Sequence, residues 1–319
     1  MKVPKHYDRF STAPILNARG EPVVALMVDR QPLILKALAD HNQLTADDIL
    51  ALVRGNKRAL YDTLRVLKAE PNEYIRIAPE QVRARNLRGQ LCYQLAPKGV
   101  RWLNEHGHNA APPKRSYSLS HDAFVAHAMA SIRAGIAAQS NARFIGPDEI
   151  QQHPRFPTAE RTGSGKWPIP HPRKRLIYPD SPLCAIQLLI DGRKLYRFFL
   201  LEADNGTSDK GETIWPSDPE AYNGTSLYEK LEAYVPFTNE EIFAKKWGIP
   251  NLCVLFVFRD MSRMNRTMSK FASLGGSPFI PFQLADTGAA PGYLFTRAWT
   301  RVGYDSLFLN QATGAANAP

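Results

Sequence analysis

Apolar positions in the first seventy residues recur at helical spacing and are interrupted by capping and turn residues. Residues 32–42 are apolar around most of a helical surface. Thr45 and Asp48 have the spacing of a capping box, and they precede a second apolar series. Gly55 is typical of a helix end, and Asn56 is a residue that commonly begins one. The pattern therefore predicts three consecutive helices.

The third of these helices, over residues 57–70, is predicted to be amphipathic. Its leucines recur at positions i, i+4 and i+7 and predict one buried side. Its remaining surface carries the side chains of Lys57, Arg58, Tyr61, Arg65 and Lys68. These residues form a basic face suited to DNA, although a charged helix face is often only solvated.

Two strands are predicted after the third helix, over residues 74–78 and 91–95, with a polar loop between them. The loop carries three arginines, Arg83, Arg85 and Arg88. A helix over residues 97–106 closes the series. This order is that of a winged helix-turn-helix over residues 20–106, in which the third helix enters the major groove and the loop forms a charged wing. A winged helix that binds protein is the alternative.

Residues 107–118 combine glycine, asparagine and a proline pair and are predicted to be a linker. A second domain is expected over residues 119–310, and it begins with a long helix. Residues 183–190 and 194–203 are predicted strands, joined by the strong hairpin signal Asp191-Gly192.

The register of this hairpin decides where three carboxylates lie. With a three-residue loop, Asp180 lies opposite Glu202, and Asp204 lies on the same face two residues later. With a two-residue loop, Asp180 lies opposite Ala203 and faces the other side of the sheet. In the first register the three carboxylates converge, and their repulsion calls for a shared cation such as Mg²⁺.

The segment after the hairpin predicts a helix over residues 226–235, in which Lys230 and Tyr234 are candidates to face the carboxylates. Residues 251–258 are almost entirely apolar, which is typical of a strand covered on both faces. A covering helix is predicted over residues 261–274. The second domain is therefore expected to be mixed α/β, with a mixed central sheet.

Composition and charge limit the kinds of molecule that the chain is expected to bind. The chain of 319 residues is 44% hydrophobic, and its net charge of +10 suits a polyanion, of which nucleic acid is the first expected. It contains no stretch near the roughly 20 apolar residues that span a bilayer, and its N-terminus has no signal-peptide pattern. A cytoplasmic DNA-binding protein without a membrane partner is expected.

The three cysteines, Cys92, Cys184 and Cys253, each lie in an apolar, strand-like run. Buried, reduced thiols are expected at such positions. The sequence contains neither a CxxC pair nor an HExxH motif, so a zinc site is not expected.

An aspartate, a hairpin ending in a glutamate, then a helix and a buried strand together resemble the PD-(D/E)xK nuclease core, which has a restriction-endonuclease-like fold. The resemblance implies that Asp180 and Glu202 hold Mg²⁺. The lysine that this family places two residues after the glutamate is Asp204 here, and Lys230 is the natural replacement.

Three motifs in order are similar to the replication-relaxation family of plasmids and other mobile elements. They are Pro179-Asp180, Glu202-Ala203-Asp204-Asn205-Gly206-Thr207 and Lys230-Leu231-Glu232-Ala233-Tyr234. The resemblance implies a role in plasmid or mobile-element DNA processing, with double-stranded DNA as partner and a relaxase or replication initiator as a further one.

Two hypotheses of function follow. In the first, the chain is a Mg²⁺-dependent endonuclease or nickase whose catalytic residues are Asp180, Glu202, Asp204, Lys230 and Tyr234, with the three carboxylates as metal ligands. In the second, it is a non-catalytic DNA-binding adaptor or transcriptional regulator that keeps the nuclease fold. Covalent attack on DNA by Tyr234 is a weaker third, because no histidine-rich metal cluster accompanies it.

Overall fold

The computed structural model describes residues 10–84, 90–113, 118–161, 167–173, 176–206, 226–286 and 288–311. The chain divides into two compact units, Met1–Ala130 and Ser131–Pro319. The division falls inside one helix, Leu119–Ala137. The predicted second domain begins where this helix begins, whereas the first compact unit also includes residues 119–130 of it.

The first unit is built from short helices around a small sheet. Its elements are α1 (Arg30–His41), β1 (Leu44–Thr45), α2 (Ala46–Val53), α3 (Lys57–Lys68), β2 (Ile75–Ile77), α4 (Pro79–Ala84), β3 (Cys92–Leu95), α5 (Pro97–Glu105) and the first part of α6 (Leu119–Ala137). The sheet is antiparallel, in the order β1-β3-β2. The predicted helices and strands of this unit are present within a few residues of their expected bounds.

The local signals at the helix starts are confirmed. The Thr45 side chain accepts a hydrogen bond from the backbone N–H of Asp48, and the Asp48 carboxylate accepts one from the backbone N–H of Thr45. The Asn56 side chain accepts a hydrogen bond from the N–H of Ala59 and begins α3. Each cap satisfies backbone donors that a helix start leaves without an intrahelical partner.

Two expectations about the first unit need correction. Lys68 was placed on the basic face of α3, but it is buried, because it follows Leu64 by four residues and so lies on the same side of the helix. The loop between β2 and β3 also contains a helix, α4, that the sequence analysis missed. The side chain of Arg83 and the whole of Arg85 and Arg88 lie outside the described residues.

The second unit is a mixed α/β fold, as expected. Its elements are the end of α6, then β4 (Ala142–Ile145), α7 (Pro147–Gln152), β5 (Ile169–Pro170), β6 (Leu176–Ile177), β7 (Cys184–Ile190), β8 (Arg193–Asp204), α8 (Leu227–Asn239), α9 (Ile242–Trp247), β9 (Cys253–Phe258), α10 (Met261–Ser273), β10 (Phe282–Leu284), α11 (Tyr293–Thr296), β11 (Ala298–Arg301) and β12 (Tyr304–Phe308).

Seven strands of this unit form one sheet, in the order β12-β11-β10-β9-β8-β7-β4. β8 runs parallel to β9, and β9 runs parallel to β10, while the other neighbours are antiparallel. All six residues of β9 are buried, as its apolar sequence predicts for a strand with both faces covered. The core on one face includes Phe256 and Phe282 from the sheet and Phe271 from α10.

The β7-β8 hairpin has a two-residue loop, so the three-residue loop on which the carboxylate register depended is wrong. Ile190 pairs with Arg193, and the pairing continues to Cys184 opposite Phe199. Asp191 and Gly192 both have positive φ values, 49° and 74°. This is the backbone that a type I′ turn requires, and aspartate followed by glycine is a sequence that favours it.

Two further expectations concern the whole described chain. Cys92, Cys184 and Cys253 are buried, as predicted, and none of the three forms a disulfide bond. None of the helices in the described ranges is long and apolar enough to cross a membrane.

Candidate functional site

Asp180 reaches the end of β8 although the hairpin register alone would place it on the other face. The chain leaves the β7 ladder before Cys184, and Ser181 makes a different pair of contacts with β8: its N–H donates to the Leu201 carbonyl, and its Oγ accepts from the Leu201 N–H at 2.7 Å. The Asp180 Oδ2 then accepts a hydrogen bond from the Ala203 N–H at 2.9 Å. The irregular backbone therefore brings Asp180 beside Glu202.

Lys230 joins the two carboxylates. Its Nζ donates to Asp180 Oδ1 at 2.9 Å and also to Glu202 Oε2. The three side chains are mostly withdrawn from solvent, and that of Glu202 is only 2% exposed. Lys230 lies in the first turns of α8, whose start is fixed by a capping box between Ser226 and Glu229.

Tyr234 completes the contacts of Glu202. It follows Lys230 by four residues, so both side chains lie on the same side of α8. The Tyr234 hydroxyl donates to Glu202 Oε1, and its buried ring packs edge-on against Phe256. Two donors from one helix therefore hold the two oxygens of one carboxylate, and we name Asp180, Glu202, Lys230 and Tyr234 the carboxylate-lysine cluster.

Burial and crowded charge change the acidity of these groups. Burial is the largest cause that raises the pKa of Glu202, to about 8, and the neighbouring Asp180 charge adds to it, while Lys230 opposes it. Burial would lower the pKa of Lys230, but the charges of Asp180 and Glu202 outweigh burial and raise that pKa. Burial and Glu202 raise the pKa of Tyr234 well above its usual value. Lysine thus stays charged and tyrosine stays a hydrogen-bond donor at neutral pH.

Asp204 does not join the carboxylate-lysine cluster, which corrects the expectation that three carboxylates converge. Its carboxylate is held by Arg263 of α10, whose Nε and Nη2 each donate to one oxygen at 2.9 Å. Within the described residues, no group of three or more histidine, cysteine, aspartate or glutamate side chains is arranged to hold a metal ion. The structure brings two predicted carboxylates together around one lysine and pairs the third with an arginine.

The cluster nevertheless fits a divalent cation through its donors. Carboxylate oxygens are the ligands that Mg²⁺ prefers, and two carboxylates around one ammonium have a net negative charge once Glu202 has lost its proton. Asp180 and Glu202 place their oxygens around a position that a cation, here the Lys230 ammonium, already occupies. The position between the two carboxylates therefore favours a positively charged group.

The predicted DNA-binding face of α3 is partly neutralised. Lys57 lies 2.8 Å from Asp47, and Arg65 lies 3.8 Å from Asp62. Arg58 is exposed, and so is Tyr61. The positive charge on α3 that a phosphate could contact is therefore smaller than the number of its basic residues suggests.

Arg263 is the functional neighbour that the sequence analysis missed. It lies 59 residues after Asp204, on a helix interpreted only as a cover for the sheet. The pairing of the strands could have indicated this contact. β8 and β9 are parallel neighbours, and Asp204 pairs with Phe258 at the end of β9. A helix that begins immediately after β9 has its first turn beside the end of β8.

The replication-relaxation family profile matches residues 35–252, which is more than half of the chain. This range includes α3, both strands of the hairpin and the whole carboxylate-lysine cluster. No characterised protein and no solved structure shows a significant match. The chain therefore belongs to the replication-relaxation family, which gives it a role in the replication or relaxation of plasmids and other mobile elements.

Proposed function

We propose that the chain binds double-stranded DNA through its first unit and cuts or nicks DNA at the carboxylate-lysine cluster of its second unit in a Mg²⁺-dependent reaction. The observation that carries the proposal is the sharing of Lys230 by two buried carboxylates. A purely structural ion pair needs one carboxylate for one lysine. With both carboxylates ionised the cluster would have an excess of negative charge in a place from which water is largely excluded, and such charge is costly. Because burial above all raises the pKa of Glu202 to about 8, a proton offsets this charge at neutral pH, and a divalent cation could take the place of that proton.

Asp180 and Glu202 are the residues that would hold the metal. A divalent cation bound there would lower the pKa of a water molecule and stabilise negative charge on a phosphate. Lys230 keeps the two carboxylates close and supplies positive charge beside them. Tyr234 fixes one oxygen of Glu202, so that the carboxylate has a defined orientation toward Lys230. Preorganised charge of this kind is the largest contribution in many phosphoryl-transfer sites.

The fold of the first unit supports DNA binding. Its helix order and three-stranded antiparallel sheet resemble those of a winged helix-turn-helix, in which α3 would be the recognition helix. Arg58 and Tyr61 are exposed on that helix and are the residues we expect to contact DNA.

The test compares Glu202→Gln with Glu160→Gln. Glu160 is a matched control because it also pairs with a lysine, Lys246, at 2.9 Å, but more than a quarter of its side chain is exposed. We expect Glu202→Gln to abolish Mg²⁺- or Mn²⁺-dependent cleavage of supercoiled DNA, while duplex affinity stays within about threefold of wild type. Glu160→Gln should cut like wild type.

Mn²⁺ binding provides a readout that does not require cleavage. Titration calorimetry should detect Mn²⁺ binding to the wild type and to Glu160→Gln, and a strong loss of binding in Glu202→Gln. Far-UV circular dichroism checks that each variant is folded. A wild-type protein that neither binds Mn²⁺ nor cuts linear, supercoiled, branched or single-stranded DNA would contradict the proposal.

One observation favours a second candidate function. Asp204 stands where the resemblance would place the nuclease lysine, and it forms a structural ion pair with Arg263 at the strand end that carries Glu202. A non-catalytic DNA-binding adaptor or regulator would need only such pairs. Its partner would be a relaxase or a replication initiator, and pull-down of such a protein by a chain that fails to cut DNA would favour it.

A further inference from the structure

The exposed side of α10 is basic, and an acidic residue, Asp260, lies at its start, where its carboxylate caps the helix by accepting from the Arg263 N–H. Between Met261 and Ser273 the helix has no aspartate or glutamate, and its three charged residues are Arg263, Arg266 and Lys270. Arg266 and Lys270 are exposed, and within the described residues neither is paired with a carboxylate. The charge on this side of the helix is therefore available to an external anion, unlike that of Lys57 on α3.

The neutral side chains of the same surface are also of the kind that contacts phosphates. Ser262, Asn265, Ser269 and Ser273 are all exposed. Serine, asparagine, arginine and lysine are the side chains that most often donate hydrogen bonds to the phosphates and sugars of DNA. The opposite side of α10 packs into the core through Met264, Thr267 and Phe271. The helix is thus fixed on one side and polar and basic on the other.

The first turn of α10 lies beside the carboxylate-lysine cluster. Arg263 holds Asp204, which follows Glu202 by two residues and lies on the same face of β8, so the two Cα atoms are about 7 Å apart. Arg259, just before the helix, is exposed, donates its backbone N–H to the Asp204 carbonyl, and donates Nη1 to Asn205 Oδ1 at 3.0 Å. The basic surface therefore begins at the strand end that carries Glu202.

The spacing of these cations fits one strand of a nucleic acid. Arg266 and Lys270 are four residues apart and lie about 6 Å from each other along the helix axis. One strand of duplex DNA carries about two phosphates over the same length.

We propose that Arg259 and the exposed side of α10 bind the sugar-phosphate backbone of DNA and lead it to the carboxylate-lysine cluster. This inference rests on the proposed function, since it names the surface that presents the substrate to that site. It assigns to the second unit a DNA contact of its own, separate from α3.

The test uses the full chain and two matched double charge reversals. Arg266→Glu with Lys270→Glu removes the basic side of α10. Arg193→Glu with Lys194→Glu changes the same two residue types at exposed positions near the hairpin turn, about 26 Å along β8 from Glu202. Both pairs change the net charge equally, so only their positions differ.

Duplex affinity is measured by fluorescence anisotropy over a series of salt concentrations. We expect the α10 pair to weaken binding at least about tenfold and to reduce the slope of log affinity against log salt by about 1.8, since each lost phosphate contact contributes about 0.9. The pair at the hairpin should stay within about twofold of wild type. Arg266→Gln with Lys270→Gln, which adds no negative charge, should show a smaller loss in the same direction.

Three outcomes decide the inference. Equal losses in both double reversals would overturn it, because net charge and not the α10 surface would then control binding. No loss in the α10 pair, with unchanged thermal unfolding, would overturn it too. A selective loss in the α10 pair supports it even when the wild type cuts no DNA, in which case only the cleavage proposal fails. Where the wild type does cut, the α10 pair should raise KM with little change in kcat.

Discussion

Asp48 in the first unit and Glu202 in the second are both buried carboxylates, but the two are satisfied in different ways. Asp48 in the first unit accepts from the backbone and hydroxyl of Thr45 through one oxygen, and its other oxygen lies 2.7 Å from His127 Nδ1. Glu202 in the second unit shares its lysine with Asp180. The first carboxylate is surrounded by donors of its own. The second is one of two that share a single cation, and this sharing separates a candidate functional site from a structural cap.

Lys230→Met is expected to lower the free energy of unfolding strongly, which would test the difference between the two carboxylates. The change leaves Asp180 and Glu202 facing each other without their cation, and breaking a buried ion pair in this way costs about 3–5 kcal/mol. Urea unfolding in the presence of a chelator measures it, and Mn²⁺ should restore part of the loss. Lys246→Met is the control, since its pair with Glu160 is partly exposed and contributes about 0–1 kcal/mol. Equal destabilisation in the two variants would mean that the shared lysine has no special role.

A smaller effect is expected from Asp48→Ala. The variant loses the capping box of α2 and the contact with His127, which together stabilise the fold by about 1–3 kcal/mol. Asp47→Ala, one residue earlier, removes an exposed pair with Lys57 and should cost under about 1 kcal/mol. Mn²⁺ should change neither value, and a restoration of Asp48→Ala by Mn²⁺ would remove the distinction between the two carboxylates.

A further effect is a pH dependence of stability that Glu202 should produce. Its pKa is raised in the folded state from 4.5 to about 8, so folding favours the protonated carboxyl group. The stabilisation from this group is fully present below pH 4.5 and is lost as the pH rises through about 8. We therefore expect the stability of the wild type relative to Glu202→Gln to fall over this range when a chelator is present. Urea unfolding of both proteins at several pH values measures it, and a constant difference would contradict the raised pKa.

Local signals in the sequence were enough for several elements of the fold. The Thr45 and Asp48 capping box, the leucine spacing of α3 and the apolar run of β9 depend on neighbours in sequence, and all three are confirmed. The position of Lys230 as a replacement for the nuclease lysine depended on a resemblance. Its contacts with Asp180 and Glu202 agree with that expectation.

Errors arose where long-range contacts decide the outcome. The partner of Asp204 lies on another helix, and β1 has only two residues, too few to give a periodic pattern. The hairpin loop was left open between two and three residues, because aspartate followed by glycine suits more than one turn, and the convergence of three carboxylates depended on the longer loop. Asp180 still reaches Glu202, since Ser181 leaves the regular ladder and makes its own contacts with Leu201. No periodicity rule describes such an irregular segment.

The bidentate ion pair between Asp204 and Arg263 should restrict how these two positions change among homologous sequences. Each of the two side chains is only 13% exposed, so the loss of one partner would leave an unbalanced charge in a poorly hydrated place. A chain that changes either position alone would also detach the first turn of α10 from the end of the strand that carries Glu202. The two positions are therefore expected to covary among homologues, as a conserved acid-base pair or as two neutral residues exchanged together.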